Sequence, residues 1–362
     1  MDKIRFTTSC DQLDLLQKKQ LVINDKKLAY DHLETYGYYN IINSYKDPYI
    51  HIENGEKIYN KDISFEQIFS LFTLDHNLRN AIMAAMLDLE EHLRAVTAEV
   101  IAASFGTDHH SYLKWKNYRD RKVSVPRFSL NGILKTLHGN ATSDKYPIKY
   151  YRDKYDSIPP WILFKGTYFS TLINFIQLFK DEQKKMLIMK LYNNLGTPDD
   201  VTKNIKDLLS CTLFMCLDYR NLAAHGGRIY NYYSNHEKAV EFQPEYIKLA
   251  PTMSSLNASH GISRLLILMD AFKYQQPSNI IKDAIQTEIN RHLLPYPADV
   301  NILESSIHIN IELTKCMLVT PKSKIFHADP NCSGIKNPSF MEINALKELG
   351  YRPCKKCVKL LE

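Results

Sequence analysis

Asp75-His-Asn-Leu78-Arg79-Asn-Ala-Ile82-Met-Ala-Ala85-Met-Leu-Asp-Leu89-Glu90-Glu91-His-Leu93-Arg94-Ala-Val96-Thr-Ala-Glu99-Val100-Ile-Ala-Ala-Ser-Phe105 is the stretch that sets the fold class. Leu78, Ile82, Ala85, Leu89, Leu93, Val96 and Val100 recur at steps of three and four, the spacing of one buried helix face. Arg79, Glu90, Glu91, Arg94 and Glu99 fall on the other side, and Gly106 closes the run. Just upstream, Ser64-Phe65-Glu66-Gln67 has the form of a capping box, opening a helix through Phe72 or beyond.

The same reading extends outward. Residues 7–50 predict a short helix, a second from about Asp25 to Thr35, and a tyrosine-rich turn over Tyr36 to Ile42. Residues 107–160 are polar and rich in Tyr and Lys, and read as a partly helical insertion. Pro159-Pro160-Trp161 precedes one or two helices from Ile162 to about Leu195. A core helix follows from Asp199 and Asp200, taken as N-cap residues, to about residue 224. Its apolar positions Val201, Ile205, Leu208, Leu209, Leu213 and Cys216 keep helical spacing, and Gly226-Gly227 ends it. Tyr230–Tyr233 and the next twenty residues read as a loop, and further helices are expected over Ile262–Phe272 and Asn279–Leu293. Strand signals are sparse before residue 300. The body, residues 1–312, is therefore mainly α.

Past Ile311 the character changes. Cys316-Met-Leu-Val-Thr320 and Ile325-Phe326-His327 read as strands, and Phe340–Leu349 as a short helix, giving a small α+β module over 315–362. His327-x4-Cys332 and Cys354-x2-Cys357 supply one His and three Cys, a set that suits a tetrahedral structural Zn²⁺. With all four corners filled by protein, no open position is left for catalysis at that ion, and a segment of about fifty residues gains from such a staple. Residues 315–362 carry nine Lys or Arg against four Asp or Glu, so most of the chain's net charge of +6 sits there. That charge fits contact with nucleic acid, although a protein partner or simple solubility explains it as well.

The chain has 362 residues, 44% hydrophobic and 24% charged, in the range of globular proteins of two domains. No apolar run approaches membrane-spanning length, and Met1-Asp-Lys-Ile-Arg-Phe6 lacks a signal-peptide core. The expectation is a cytoplasmic protein with reduced cysteines and no membrane contact.

Asp218-Tyr-Arg220-Asn221-Leu-Ala-Ala-His225-Gly-Gly carries the chemistry. Arg is a permanent planar cation matched to phosphate oxygens, and His exchanges protons near neutral pH. Five residues turn about 140° around a helix, so the two heads converge only through a long side chain or a frayed end. The plain alternative is a basic residue and a histidine easing the negative end of the helix dipole.

The body resembles the abortive-infection (Abi) proteins of bacteria, within the HEPN superfamily. The matching residues are Thr8-Ser-Cys-Asp-Gln-Leu13, Gly37-Tyr38-Tyr39, Phe65 with Ile68, Asp75-x2-Leu78-Arg79, Glu90-Glu91-x2-Arg94, Pro160-Trp161 and Arg220-Asn-Leu-Ala-Ala-His225, spread over 8–230. Tyr168-Phe169-Ser170 departs from the Phe-Gly step usual there. The resemblance implies a HEPN-type helical bundle and a metal-independent ribonuclease working as a homodimer. Arg220 and His225 would be its catalytic pair, Asn221 a polar companion, and Glu90 or Glu91 an acidic support. It also implies a toxin-like effector of phage defence; a growth-inhibiting nuclease requires restraint before infection, so an antitoxin, an inhibitory RNA or a closed conformation is expected, with a phage component as a candidate trigger. Tyr230, Tyr232 and Tyr233 beside the motif are candidates for stacking on RNA bases. The alternative is a non-catalytic RNA- or protein-binding regulatory HEPN module whose zinc tail recognises nucleic acid or a phage component. The tail resembles Ada-like zinc modules over 320–357, with the pattern His-x4-Cys, helix, Gly-Tyr-x-Pro-Cys-x2-Cys. His327 stands where the DNA-repair proteins of that shape use cysteine, so methyl-acceptor activity is not expected.

Overall fold

Helices account for most of the fold, a computed structural model that describes residues 6–309, 316–320, 323–327, 332, 335 and 338–358. Along the chain come α1 (Ser9–Lys18), α2 (Lys26–Tyr36), α3 (Phe65–Phe105), α4 (His109–Tyr112), α5 (Leu130–Ala141), α6 (Ile148–Tyr155) and α7 (Pro160–Leu163). They are followed by α8 (Phe169–Gln177), α9 (Asp181–Leu191), α10 (Lys203–Ala224), α11 (Gly261–Met269), α12 (Gln276–Leu293), α13 (Val300–Ile307) and α14 (Ile343–Glu348). Two compact units result, one from residues up to Asn77 together with those from Asp283 onward, the other spanning Leu78–Lys282. The boundary expected near 310–315 falls on residues outside those described.

Local chemistry sets the helix starts. Thr8 and Asp11 form a capping box ahead of α1, and the Asp25 carboxylate accepts from Leu28 N at 2.9 Å ahead of α2. At α3 only half the expected box forms. Ser64 Oγ accepts from Gln67 N at 3.1 Å, while the Gln67 side chain donates to buried Asp299 instead. Burial raises the Asp299 carboxyl, but hydrogen bonds from His292, Gln67 and Tyr49 outweigh it and hold the group below its usual value. The two helices expected around residues 64–72 and 75–105 are one, since nothing between them breaks the backbone. A hairpin of β1 (Ile50–Glu53) and β2 (Glu56–Tyr59), not among the expectations above, turns at Asn54-Gly55, both with positive φ, the residue pair that favours a two-residue hairpin turn.

In the Leu78–Lys282 unit all seven expected apolar positions of α3 are buried, as are Phe169, Leu172, Ile173, Phe175 and Ile176 of α8. Glu90, expected on the exposed side, is 4% exposed. Residues 107–160 are partly helical, with Tyr112, Leu130, Ile133 and Leu137 buried. α10 starts later than expected, capped by Thr202 Oγ1 accepting from Ile205 N at 3.3 Å. Asp199 and Asp200 lie instead in a 3-10 turn, where Asp200 accepts from Gly196 N and Thr197 N.

The C-terminal segment forms a four-stranded sheet in the order β5-β3-β4-β6, from β3 (Cys316–Val319), β4 (Ile325–His327), β5 (Ser339–Glu342) and β6 (Arg352–Pro353). β3 pairs antiparallel with β4 and β5, and β4 pairs parallel with β6. The helix expected over 340–349 begins only at Ile343, because Phe340 and Glu342 are held in the ladder with β3. Met317, Val319 and Leu346 make a small core, with Phe326, Met341 and Tyr351 packed against it. No described helix is long and apolar enough to cross a membrane.

Candidate active site and metal centre

α10 ends in a Schellman motif. Gly227 N donates to Leu222 O at 2.9 Å and Gly226 N to Ala223 O at 3.2 Å, with Gly226 at φ +72°. His225 is thereby the C-cap residue, and its side chain is exposed. Arg220 sits on the last helical turns, half-buried. Its Nη1 makes one long contact, 3.4 Å, with Asn221 Oδ1, and its Nε is buried without a partner. Among the described residues no hydrogen bond or ion pair joins Arg220 to His225. Asp218, Asn221 and His225 follow steps of three and four and so share one helix face, with Arg220 at its flank.

α3 contacts this end through Arg79 and places Glu90 within electrostatic reach of Arg220. Arg79 Nη1 donates to Gly226 O at 2.9 Å, fixing the turn that follows His225. Glu90 forms an ion pair with Arg94, whose Nη2 also donates to Thr167 O at 2.9 Å. Burial pushes the Glu90 carboxyl up, while the positive charges of Arg94 and Arg220 pull it back. Glu90 is thus the acidic neighbour of Arg220, whereas Glu91 is exposed to solvent.

The three tyrosines have separate fates. Tyr230 is 2% exposed and its ring belongs to the core, which corrects its assignment as a base-stacking residue. Tyr232 is half-buried, edge-on to Tyr219 at 5.2 Å, and its carbonyl accepts from Tyr219 Oη at 3.0 Å. Tyr233 is exposed and lines a cavity of about 830 Å³ with Ser234, Glu237 and His260. His236, not foreseen, stacks on Phe214 and donates from Nδ1 to Asp218 Oδ2 at 2.9 Å, where Ser234 Oγ also donates at 2.6 Å. Asp218 shares the His225 face of α10, a signal present in the sequence. That His236 folds back onto it is a tertiary contact.

His327, Cys332, Cys354 and Cys357 do converge, with ligand atoms within 4.8 Å of one another. Strand pairing brings them together: His327 ends β4, and Cys354, just after β6, donates its backbone N–H to Phe326 O at 2.9 Å. Cys332 Sγ lies 3.8 Å from Cys354 Sγ, and Cys357 Sγ lies 3.6 Å from His327 Nδ1. A tetrahedral ion with metal–sulfur bonds of about 2.3 Å requires sulfur separations of about 3.8 Å, so these edges fit a four-ligand site. Lys356 N points at Cys354 Sγ from 3.5 Å, a contact that favours the thiolate.

A mainly helical protein with a basic pair at a helix end and a Cys3His cluster is the class these features define. The chain belongs to the Abi-like protein family, whose model matches residues 31–231, more than half its length, and takes in α10 with its capped end. Membership points to an abortive-infection role. No curated protein and no solved structure matches the chain.

Proposed function

We propose that this protein is a metal-independent endoribonuclease of HEPN type that acts as a toxin-like abortive-infection effector, with its catalytic pair at Arg220 and His225. The observation that carries this reading is the capped end of α10. It leaves an imidazole in solvent one turn beyond a guanidinium with few commitments, inside the family-matched segment.

The chemistry needs no further group. The ribose 2′-oxygen attacks the adjacent phosphorus as an imidazole removes its proton. The bond to the 5′-oxygen breaks, and that oxygen takes up a proton. The products are a 2′,3′-cyclic phosphate and a 5′-hydroxyl, and DNA, without a 2′-hydroxyl, is inert. Arg220 stabilises the charge that grows on the phosphorane oxygens, with the Glu90 carboxylate as a counter-charge. Two proton-transfer steps call for two bases or acids, which a homodimer with paired copies of His225 supplies. His327, Cys332, Cys354 and Cys357 would hold a structural Zn²⁺, with all four positions taken by protein ligands and none left for substrate. A cell carrying such an enzyme requires restraint before infection, by an antitoxin, an inhibitory RNA or a conformational trigger.

The deciding experiment incubates wild type, Arg220→Ala and His225→Ala with total RNA and with tRNA and maps the ends. Cleavage leaving cyclic phosphates, reduced about 10²-fold or more in both variants, with folding retained, supports the proposal. RNA binding without cleavage, unchanged by His225→Ala, replaces it with a non-catalytic RNA-binding module.

A further inference from the structure

A second cavity, of about 340 Å³, opens away from the α10 end, where the last turn of α8 meets the first turns of α9 and α10. Arg119, Gln177, Lys184, Lys203 and Lys206 line it, with Asp181 and Asp207 as the acidic residues. Both acids are engaged, Asp181 with Lys206 and Lys185, and Asp207 with Lys203 at 3.0 Å. Arg119 and Lys184 have no ion-pair partner among the described residues, although Lys184 is only 4% exposed.

Lys184 Nζ donates to Ile176 O at 3.2 Å and to Gln177 Oε1 at 3.1 Å. Ser210 Oγ donates to the same Oε1 at 2.7 Å. Two donors on that oxygen fix which end of the amide is which, so Nε2 is the other end. Gln177 is 7% exposed, and its Nε2 has no acceptor. Such an orphaned buried donor is destabilising if nothing satisfies it, and native structures keep few of them. The start of α9 adds to the pattern. Lys180 at the N-cap offers no side-chain hydrogen bond to the first-turn N–H groups, whose dipole end favours an anion. An ammonium, an amide N–H, a guanidinium and an uncapped helix start surround one small concavity.

We propose that this cavity is a phosphate-binding site, in which Gln177 Nε2, Lys184 Nζ and Arg119 hold the oxygens of a phosphate group carried by a nucleotide or an RNA end. The site stands apart from the cleavage reading, since none of its residues lies at the capped end of α10. Burial, then Arg119 and Arg121, push the Lys184 ammonium down to about 7, the state of a lysine whose counter-ion is missing. A bound phosphate supplies that counter-ion and the missing acceptor together. The volume of about 340 Å³ is at the small end of ligand sites and takes a phosphate with part of the group that carries it.

The test is calorimetric titration of the full-length protein at low salt with three probes: inorganic phosphate, a nucleoside diphosphate, and a short RNA with a 5′-phosphate beside its 5′-hydroxyl counterpart. Gln177→Glu keeps the acceptor for Lys184 and Ser210 but turns the orphan donor into a carboxylate oxygen. It should weaken phosphate at least tenfold without lowering the melting temperature. Lys184→Met should weaken it as much, and Lys203→Ala, at the rim, by less than threefold. Tighter binding of the diphosphate than of phosphate assigns a nucleotide, and preference for the 5′-phosphorylated RNA assigns an RNA end. Wild type that binds no probe beyond a chloride control overturns the proposal, as does equal affinity in Gln177→Glu.

Discussion

Lys184 and Glu90 are buried charges whose ionisation responds to pH in opposite senses for stability. The Lys184 value of about 7 lies below that of a free lysine, so between pH 7 and 10.5 the unfolded chain binds more protons than the folded one. Stability from this group therefore rises with pH, by about 2 kcal/mol from pH 7 to pH 9. Denaturant titrations should show that rise in wild type and its loss in Lys184→Met. Glu90 is raised above the usual carboxylate value, first by burial, so its contribution is fully present at acid pH and is lost as pH rises through the folded value. Glu90→Gln should accordingly gain on wild type as pH increases, although Arg94 and Arg220 then lose a counter-charge. At the site itself, Arg220→Lys keeps the charge and loses the planar fork. Cleavage should fall about 10²-fold while the melting temperature holds.

The capped end of α10 is the element on which the site's geometry depends. Gly226 at φ +72° is the position of the turn whose backbone favours glycine, while a Cβ on Gly227 would run into the Leu222 side chain, and Gly226→Ala should cost about 1 kcal/mol. Because His225 N donates to Asn221 O inside the same turn, that loss should displace the imidazole and lower the maximal rate more than RNA affinity. Equal effects on rate and affinity would separate the cap from catalysis. This end was legible in the sequence, since Gly-Gly after a periodic run states where a helix stops. The start was not. Asp199 and Asp200 have the right chemistry for a cap, but Thr202 stands where the backbone turns helical, and the acids serve the preceding turn instead. Glu90 escaped for a related reason. Periodicity places it off the apolar stripe, and only the packing of Arg94 and Thr167 against that side of α3 shows that it is covered. His236 and the orphaned Gln177 amide depend on contacts between segments distant in sequence, which no local pattern carries.

At the scale of the molecule, the metal ligands and the Arg–His pair fall in different compact units, and none of the four ligands lies within Leu78–Lys282. The ligand spacing was readable because His-x4-Cys and Cys-x2-Cys are short-range patterns; the parallel pairing of β4 with β6 that closes the set was not. Among the described residues the tail buries four apolar side chains, Met317, Leu318, Val319 and Leu346, a small core for a four-stranded sheet, so a metal at the Cys3His cluster should add much of its stability. Stripping the metal with a strong chelator should therefore collapse amide-exchange protection across β3–β6 while the amides of α10 keep theirs. RNA cleavage in a short assay should survive the same treatment, and native mass spectrometry should show one zinc lost per chain. If α10 loses protection together with the tail, the two units are not independent in stability. If cleavage stops while α10 stays protected, the metal takes part in the reaction and the Arg220–His225 mechanism fails.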